Sequence, residues 1–390
     1  MSHAPELFEE ARRQLTVCNA CRYCEGYCAT FLSLERRPRL TDGDVSFIAN
    51  ICHDCRGCFQ ACMFTAPHEF AINIPQLLSD VRVATYQRYA WPQRLAPLFG
   101  RTALAAAAAG AIGFIVMAGI AILSGGGERF FTPDGKIGSF YRIVPWLGMS
   151  IPAMLLSIYA LLSFAGSALQ FSRDTGVRLA ELFDPRAMVK VASEALTLRW
   201  MTGGGDGCFY PEKEKTSDSR RLLHIMVVVG FLFAFASTTI AAGLQEIRGE
   251  LPPYPVLSAP VLLGAAGGIL MIVGSTGLLW LKIPAERSLI AGAMLKMDVA
   301  FLMVFDLVSV TGMLLLVARE TALMPSFLLL HLATLAALYA TVPYGKFAHV
   351  PYRLLALFEN RRQLLKEEQS LRPVLRPRDT APLAARVDGQ

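Results

Sequence analysis

The sequence predicts an all-α protein in two parts: a soluble helical head over residues 1–101 and a six-helix transmembrane bundle over 102–350, followed by a basic tail over 351–390. Three observations predict it. Of the 390 residues, 54% are hydrophobic and 17% charged, and the mean hydropathy is +0.42, a balance that belongs to membrane proteins. The apolar residues after position 100 gather into six runs, each near the ~20 residues a helix needs to cross the hydrocarbon core. Eight of the nine cysteines, by contrast, lie between Cys18 and Cys62, within the more polar first hundred residues.

The stretch before those cysteines, MSHAPELFEEARRQL, has no continuous apolar core and no small-residue cleavage site. It is not expected to be a secretory signal, which leaves the head in the cytosol. In that reducing compartment clustered cysteines bind metal or clusters and do not form disulfides. CNACRYCEGYC places Cys18, Cys21, Cys24 and Cys28; CHDCRGCFQAC places Cys52, Cys55, Cys58 and Cys62; both read C-x2-C-x2-C-x3-C. Three cysteines two residues apart wrap one face of a [4Fe–4S] cube, and in two-cluster ferredoxins of this spacing the fourth ligates the other cube. Cys18, Cys21, Cys24 and Cys62 are therefore expected to hold one [4Fe–4S] cluster, and Cys52, Cys55, Cys58 and Cys28 the second, making a ferredoxin-like two-cluster head. Structural zinc also takes four thiolates, but usually from two separated cysteine pairs. Ala29 and Met63 follow the fourth cysteines where bacterial ferredoxins have proline. That is a departure from ferredoxin proper and not from its cluster chemistry. Cys208, in GGGDGCFYP, stands apart; its glycine-rich setting allows a close backbone approach to a partner or the head, but it is not expected to be a ligand.

The six spans are expected at about 102–123, 144–169, 222–243, 258–281, 297–318 and 326–344. An even number of crossings returns the C-terminus to the side of the N-terminus, the cytosolic face of a bacterial inner membrane. The basic residues agree. The head, the loop 170–221, the connection 282–296 and the tail are rich in Arg and Lys, whereas the opposite loops carry only Arg129, Lys136, Arg142, Arg248 and Arg319. The net charge of +6 is accordingly an orientation signal and needs no nucleic-acid partner. Small residues within the spans, as in AAAAAGAIG and LLGAAGGILMIVGSTG, let helix backbones approach closely in lipid. The last twenty residues of the tail are expected to be flexible.

Three histidines stand where a haem could use them: His224 opening the third span, His331 early in the sixth and His349 just beyond it. Imidazole is a common axial ligand of haem, and ionisable side chains at membrane depth default to function. His331 and His349 are eighteen residues apart, so on a continuous helix they share one face about 27 Å apart, with Pro343 and Gly345 placed to bend it. His224 is level with His349, and that pair is expected to clamp a haem b beneath the head. A His224–His331 pair is the alternative. In the first case His331 is left for a second haem or a quinone pocket; each histidine alone also fits a plain interfacial hydrogen bond. No Cys-x-x-Cys-His occurs, so covalent haem attachment is not expected. His53 and His68 are read as tuning hydrogen bonds near the clusters or facing solvent. Asp298 and Asp306 are costly in an apolar helix unless paired or on a water path. For Asp306 a proton relay to a quinone, a salt bridge and an arrangement with a haem propionate and Arg220 or Arg221 all stay open.

With the cysteine quartets, TAPHEFAINIPQLL at 65–78, GGGDGCFYP at 203–211 and SRRLLH…GFLFAFAST at 219–238, the chain resembles the tricarballylate-utilisation protein B family from Cys18 to about Arg362. The same module forms the C-terminal half of the flavoprotein of cobalamin ring contraction. GKFAHVPYR at 345–353 is also similar to the end of haem-b quinone-reactive subunits such as that of nitrate reductase. The resemblance implies a partner, a separate FAD-dependent dehydrogenase that oxidises tricarballylate to cis-aconitate. This chain would reoxidise its flavin and deliver electrons through two [4Fe–4S] clusters and haem b to the quinone pool. The chain has no G-x-G-x-x-G fingerprint following a strand and no acid/base site for a carboxylate substrate, in keeping with that division of labour. Two other classes are weighed against it: a membrane redox sensor without net electron flow, and a transporter with a structural zinc head.

Overall fold

The computed structural model describes residues 4–205, 208–211 and 215–375, and among them every regular element is helical. Five helices build the head: α1 (Ala4–Cys21), α2 (Ala29–Glu35), α3 (Asp42–Ile51), α4 (Gly57–Gln60) and α5 (Ile74–Tyr89). A capping box starts α3, in which the Thr41 hydroxyl accepts from Asp44 N and the Asp44 carboxylate accepts from Thr41 N. Asn73 caps α5 by accepting from Gln76 N, with Pro75 in the first turn, where its missing N–H costs nothing. Val45, Phe47, Ile48, Ala49 and Ile51 of α3 are fully buried, so this helix is the post around which α1, α2 and α5 pack. Both cysteine motifs hang from its neighbourhood. Cys18 and Cys21 end α1, Cys52 caps α3, and Cys58 lies in α4.

Six helices are long and apolar enough to cross a membrane: α6 (Thr102–Leu123), α8 (Trp146–Thr175), α10 (Ser219–Arg248), α11 (Ala259–Leu281), α12 (Gly292–Ala318) and α13 (Met324–Thr341) with its 3-10 extension to Tyr344. Short helices α7 (Ser139–Ile143) and α9 (Pro185–Thr197) lie in the connections. The bundle exposes Leu104, Ile115, Leu161, Phe235 and Val317, side chains that lipid and not water would cover. This is a multi-pass membrane protein.

All six expected spans are present, but three run longer. α8 continues to Thr175 and α10 to Arg248, and each stops only where a glycine takes the left-handed cap, Gly176 at φ 73° and Gly249 at φ 69°. α12 likewise begins at Gly292, five residues before the apolar run. Hydropathy marks the lipid-buried part of a helix, while capping marks its end. The sixth span differs in the other direction. α13 ends at Thr341, and two short 3-10 turns, Val342–Tyr344 and Lys346–Ala348, separate it from α14 (His349–Leu375). Pro343 lacks the N–H that a continuing helix needs, so His331 and His349 do not share one helix.

α14 also replaces most of the expected tail. Its residues Tyr352, Leu355, Ala356, Leu357 and Phe358 are buried in the same core as α3 and α5. Ser33 donates to Asn360 at 2.9 Å, and Arg36 reaches Glu367 at 2.7 Å. Most of the stretch expected to be flexible, from 376 onward, lies outside the described residues. Tyr86, Tyr89, Phe171 and Tyr352 stack where head, α8 and α14 meet, and Tyr344 donates to Trp91 O at 2.9 Å. Head and bundle thus share one continuous core.

α10 and α11 cross with their backbones in contact. A Cβ on Gly267 would stand 2.7 Å from Gly230 O and 2.9 Å from Ala234 N. Gly267→Val is expected to force the pair apart at a cost of about 1–3 kcal/mol, the usual range for overpacking. A lowered unfolding temperature in detergent would register it; an unchanged one would mean the crossing is loose.

Candidate functional site

Two adjacent hollows in the head collect the cysteines. The first is lined by Cys18, Cys21, Cys24 and Cys62 with Cys58 at its edge, the second by Cys28, Cys52, Cys55 and Cys58. Each fourth cysteine therefore sits with the other motif's triplet. The chain reaches this arrangement through left-handed residues, Arg22 at φ 57° after Cys21, and Asp54 at 56° and Arg56 at 65° on either side of Cys55. For non-glycine residues such backbone costs of order 1–3 kcal/mol each and gathers at ligand sites.

Burial sets the thiol chemistry. It pushes Cys18 up to about 12, and Cys62, Cys24 and Cys21 push it further in the same direction. Cys24 is likewise held at about 12 by burial and then by Cys62, Cys28 and Cys21, while Cys28, Cys55 and Cys58 are all raised by burial first. Thiolates crowded in one hollow repel one another, and a bound metal centre would supply the positive charge that offsets this. Among the described residues, no three His, Cys, Asp or Glu side chains gather closely enough for a single metal ion. Zinc would draw four sulfurs onto one centre at about 2.3 Å, whereas a cube spreads its ligands over four corners. Backbone N–H groups of Asp54 and Phe64 donate to the sulfurs of Cys52 and Cys62, each at 3.4 Å. The donor set, thiols gathered in two hollows with backbone N–H groups turned to two of the sulfurs, suits iron–sulfur ligation.

Beyond the second hollow lies a chamber of about 110 Å³, partly open to solvent and smaller than the roughly 300–1,000 Å³ typical of small-molecule sites. His53 and Asp54 line both cavities, so the two share a wall. Across the chamber the rings of His224 and His349 have centres 6.4 Å apart and planes at 60°. Two imidazoles bound to one metal at about 2 Å, the length seen for zinc, place their centres roughly 6 Å apart. His349 Nδ1 donates to Lys346 O at 2.6 Å, which leaves Nε2 bare. The His224 Nδ1 is buried without a partner among the described residues. Burial, then Arg353 and Lys346, hold His349 well below the usual imidazole range, in the neutral state that ligates. The pair stands at the separation of two imidazoles on one metal ion.

Charge in the chamber is one-sided. Arg82, Arg220, Lys282, Lys346 and Arg353 face only two carboxylates, Asp54 and Asp298. Asp298 is clamped between Lys282 at 2.8 Å and Lys346 at 2.7 Å, the pairing that a buried carboxylate requires. Three guanidiniums tie the chamber to the second hollow. Arg353 donates to Cys52 O at 2.6 Å and Arg82 to the same oxygen at 3.1 Å, while Arg220 donates to Asp54 O at 2.6 Å.

The other expected residues lie elsewhere. His331 is outside the chamber, its Nδ1 3.1 Å from the Thr311 hydroxyl and its ring against Gly312. Asp306 accepts from the Ser275 hydroxyl at 2.7 Å and from Thr276 at 3.2 Å. Arg221 turns away to Thr197 O. Cys208 is buried beside Cys55, with Phe209 N donating to Cys55 O at 2.9 Å, so the glycine-rich loop does approach the head. Sequence reasoning put His53 near the clusters or facing solvent but not in the chamber it lines, and it missed Lys282, Lys346, Arg82 and Arg353. A signal was present for part of this set, since Lys346, His349 and Arg353 recur at intervals of three and four residues, as one face of a helical turn does.

The family model described as Citrate utilization protein B matches residues 97–370, and that of the Citrate utilization protein B Fer4-like domain matches residues 11–88. The chain belongs to the citrate utilization protein B family. Citrate utilization protein B of Escherichia coli is 37% identical over 360 residues, covering 90% of this chain and 91% of its own length. No solved structure matches. The family bears out the resemblance carried by the motifs. All the cysteines of both hollows fall inside the Fer4-like domain, while Trp200 of the larger citrate utilization protein B region closes the second hollow, and the chamber is assembled where the two regions meet. A Fer4-like head on a multi-pass bundle suggests an iron–sulfur electron-transfer role in citrate or tricarballylate utilization.

Proposed function

We propose that the protein is a membrane electron conduit that reoxidises a partner FAD-dependent dehydrogenase of the tricarballylate type and passes its electrons through two [4Fe–4S] clusters and haem b to the quinone pool. One observation carries the reading: two cysteine hollows and a two-histidine chamber stand in series, with Cys58 common to the first two and His53 and Asp54 common to the last two. In this reading Cys18, Cys21, Cys24 and Cys62 hold the first cluster and Cys52, Cys55, Cys58 and Cys28 the second. His224 and His349 would hold the haem, and the surplus of basic side chains around them would offset the charge of its carboxylates. When bound, these groups supply one-electron carriers, which lets the electron pair of a reduced flavin pass singly.

The chain's own residues position those carriers. Arg353 and Arg82 fix the Cys52 carbonyl at the chamber wall, and Lys346 fixes the His349 ring through its carbonyl. Asp306, which accepts from Ser275 and Thr276, is the candidate for a proton relay to quinone, and His331 is left for that quinone pocket or a second haem. In this reading the head over 1–101 and both termini are on the cytosolic side of the inner membrane, a placement supported by the basic loops.

Anaerobic purification of the full chain in detergent tests the reading. We expect about eight irons and eight sulfides per chain, a low-spin haem spectrum, and oxidation of the reduced protein by a soluble quinone. A colourless protein without sulfide removes the conduit. Clusters that dithionite reduces but quinone leaves untouched would favour a redox sensor instead.

A further inference from the structure

The two cysteine loops are built alike, and their arginines are not treated alike. Arg22 follows the second cysteine of one motif and Arg56 the second cysteine of the other, both in left-handed backbone. Arg22 is exposed and donates to Asn19 O. Arg56 is 2% exposed in the wall of the second hollow, and none of its three nitrogens has a hydrogen-bond partner among the described residues. Its recorded contact is the face of Tyr210, 4.5 Å away. Arg220 lies over the same ring at 4.8 Å, but its Nη1 is committed to Asp54 O. Asp54, itself with an unpartnered Oδ1, attracts Arg56 without bonding it.

A buried guanidinium carries five N–H donors and a fixed charge, and leaving them unpaired is costly. The hollow it borders would hold four thiolates and a cube, an anionic group rich in sulfur acceptors. The first hollow offers nothing comparable. Its lining is Val17, Phe31, Phe59, Phe64 and similar apolar residues beside the cysteines, without one charged side chain.

We propose that Arg56 holds the reduction potential of the cluster at Cys28, Cys52, Cys55 and Cys58 above that of its neighbour, so that electrons run from the first cluster toward the bundle. This rests on the cluster assignment of the preceding section. Each thiolate-bound cube is already negative and gains one further charge on reduction, and an unscreened cation in low dielectric favours the more negative state. The step is a single electron lost by the first cluster and gained by the second, with no proton moved and no bond made; a reduced flavin replaces the electron lost. Exposure of Cys21 works in the opposite sense, since water also favours the reduced cube, and the order of the two midpoints reads which effect prevails.

Anaerobic potentiometric titration of the full-length protein, followed by electron paramagnetic resonance and with iron and sulfide counted, decides the matter. Two midpoints are expected in the unaltered protein. Arg56→Gln should lower the higher one and leave the other in place, Arg56→Lys should restore it in part, and Arg22→Gln should move neither. Fully loaded Arg56→Gln protein with both midpoints unchanged, or both lowered equally, overturns the proposal. Should Arg56→Gln lose about half its iron, the lysine variant decides. Loaded Arg56→Lys with the higher midpoint kept supports the charge, whereas equal depletion shows that the position supplies shape alone and overturns it. An unaltered protein without iron and sulfide defeats the functional reading and this inference together; a loaded one with unmoved midpoints defeats this inference alone.

Discussion

Cys62→Ser is expected to reduce the iron content from about eight to about four atoms per chain and to remove the cluster of the first motif, although Cys62 belongs to the second. The prediction follows from where the chain folds. Cys62 lines the hollow of Cys18, Cys21 and Cys24, and its charge acts on Cys18 and Cys24, while Cys28 faces Cys52. Serine keeps the size and loses the thiolate. Paired variants identify which cube is lost, because groups that act as one unit are not additive. Cys62→Ser with Cys18→Ser should lose no more iron than either alone, whereas Cys62→Ser with Cys55→Ser should lose nearly all of it. The reverse pattern would show that each motif keeps its own fourth cysteine.

His349→Ala is expected to abolish the low-spin haem spectrum and leave the cluster iron unchanged. His224→Ala should do the same, and His331→Ala should not. The rings of His224 and His349 already stand at the separation that one metal between them requires, and the Lys346 carbonyl leaves the His349 Nε2 bare. His331 has no second imidazole opposite and is engaged with Thr311. Optical spectra of the three reduced proteins separate the pairings. An unchanged spectrum after His349→Ala, or its loss after His331→Ala, would refute the assignment.

Much of this was legible before folding, for identifiable reasons. Ligand chemistry acts over a few residues, so the spacing of Cys18 to Cys28 and of Cys52 to Cys62 carries it directly. Hydropathy located every span, and the level of His224 against His349 followed from their places at the ends of the third and sixth spans. What escaped was set by contacts between distant segments. α8 and α10 overran their apolar stretches because Gly176 and Gly249 end them. A continuous helix from His331 to His349 failed at Pro343 and Gly345. Asp298 was conspicuous alone, but its partners Lys282 and Lys346 arrive from two other segments. His53 and Arg82 look like ordinary head residues until the head is seated on the bundle. Cys208 is far from the quartets in sequence, and only the return of its loop buries it beside Cys55.

Arg353 stands one helical turn after His349 and grips the carbonyl of Cys52, so the proposed ligands of two successive carriers would be braced by about 6 Å of α-helical rise. From there the same rod is riveted along the head through Asn360 and Glu367. A hinged head would have to swing close before each hop and swing away after it, and its throughput would follow that diffusion. Here the gap is set by a strut, so turnover should be indifferent to solvent viscosity and the pace is left to driving force and to the arrival of partners.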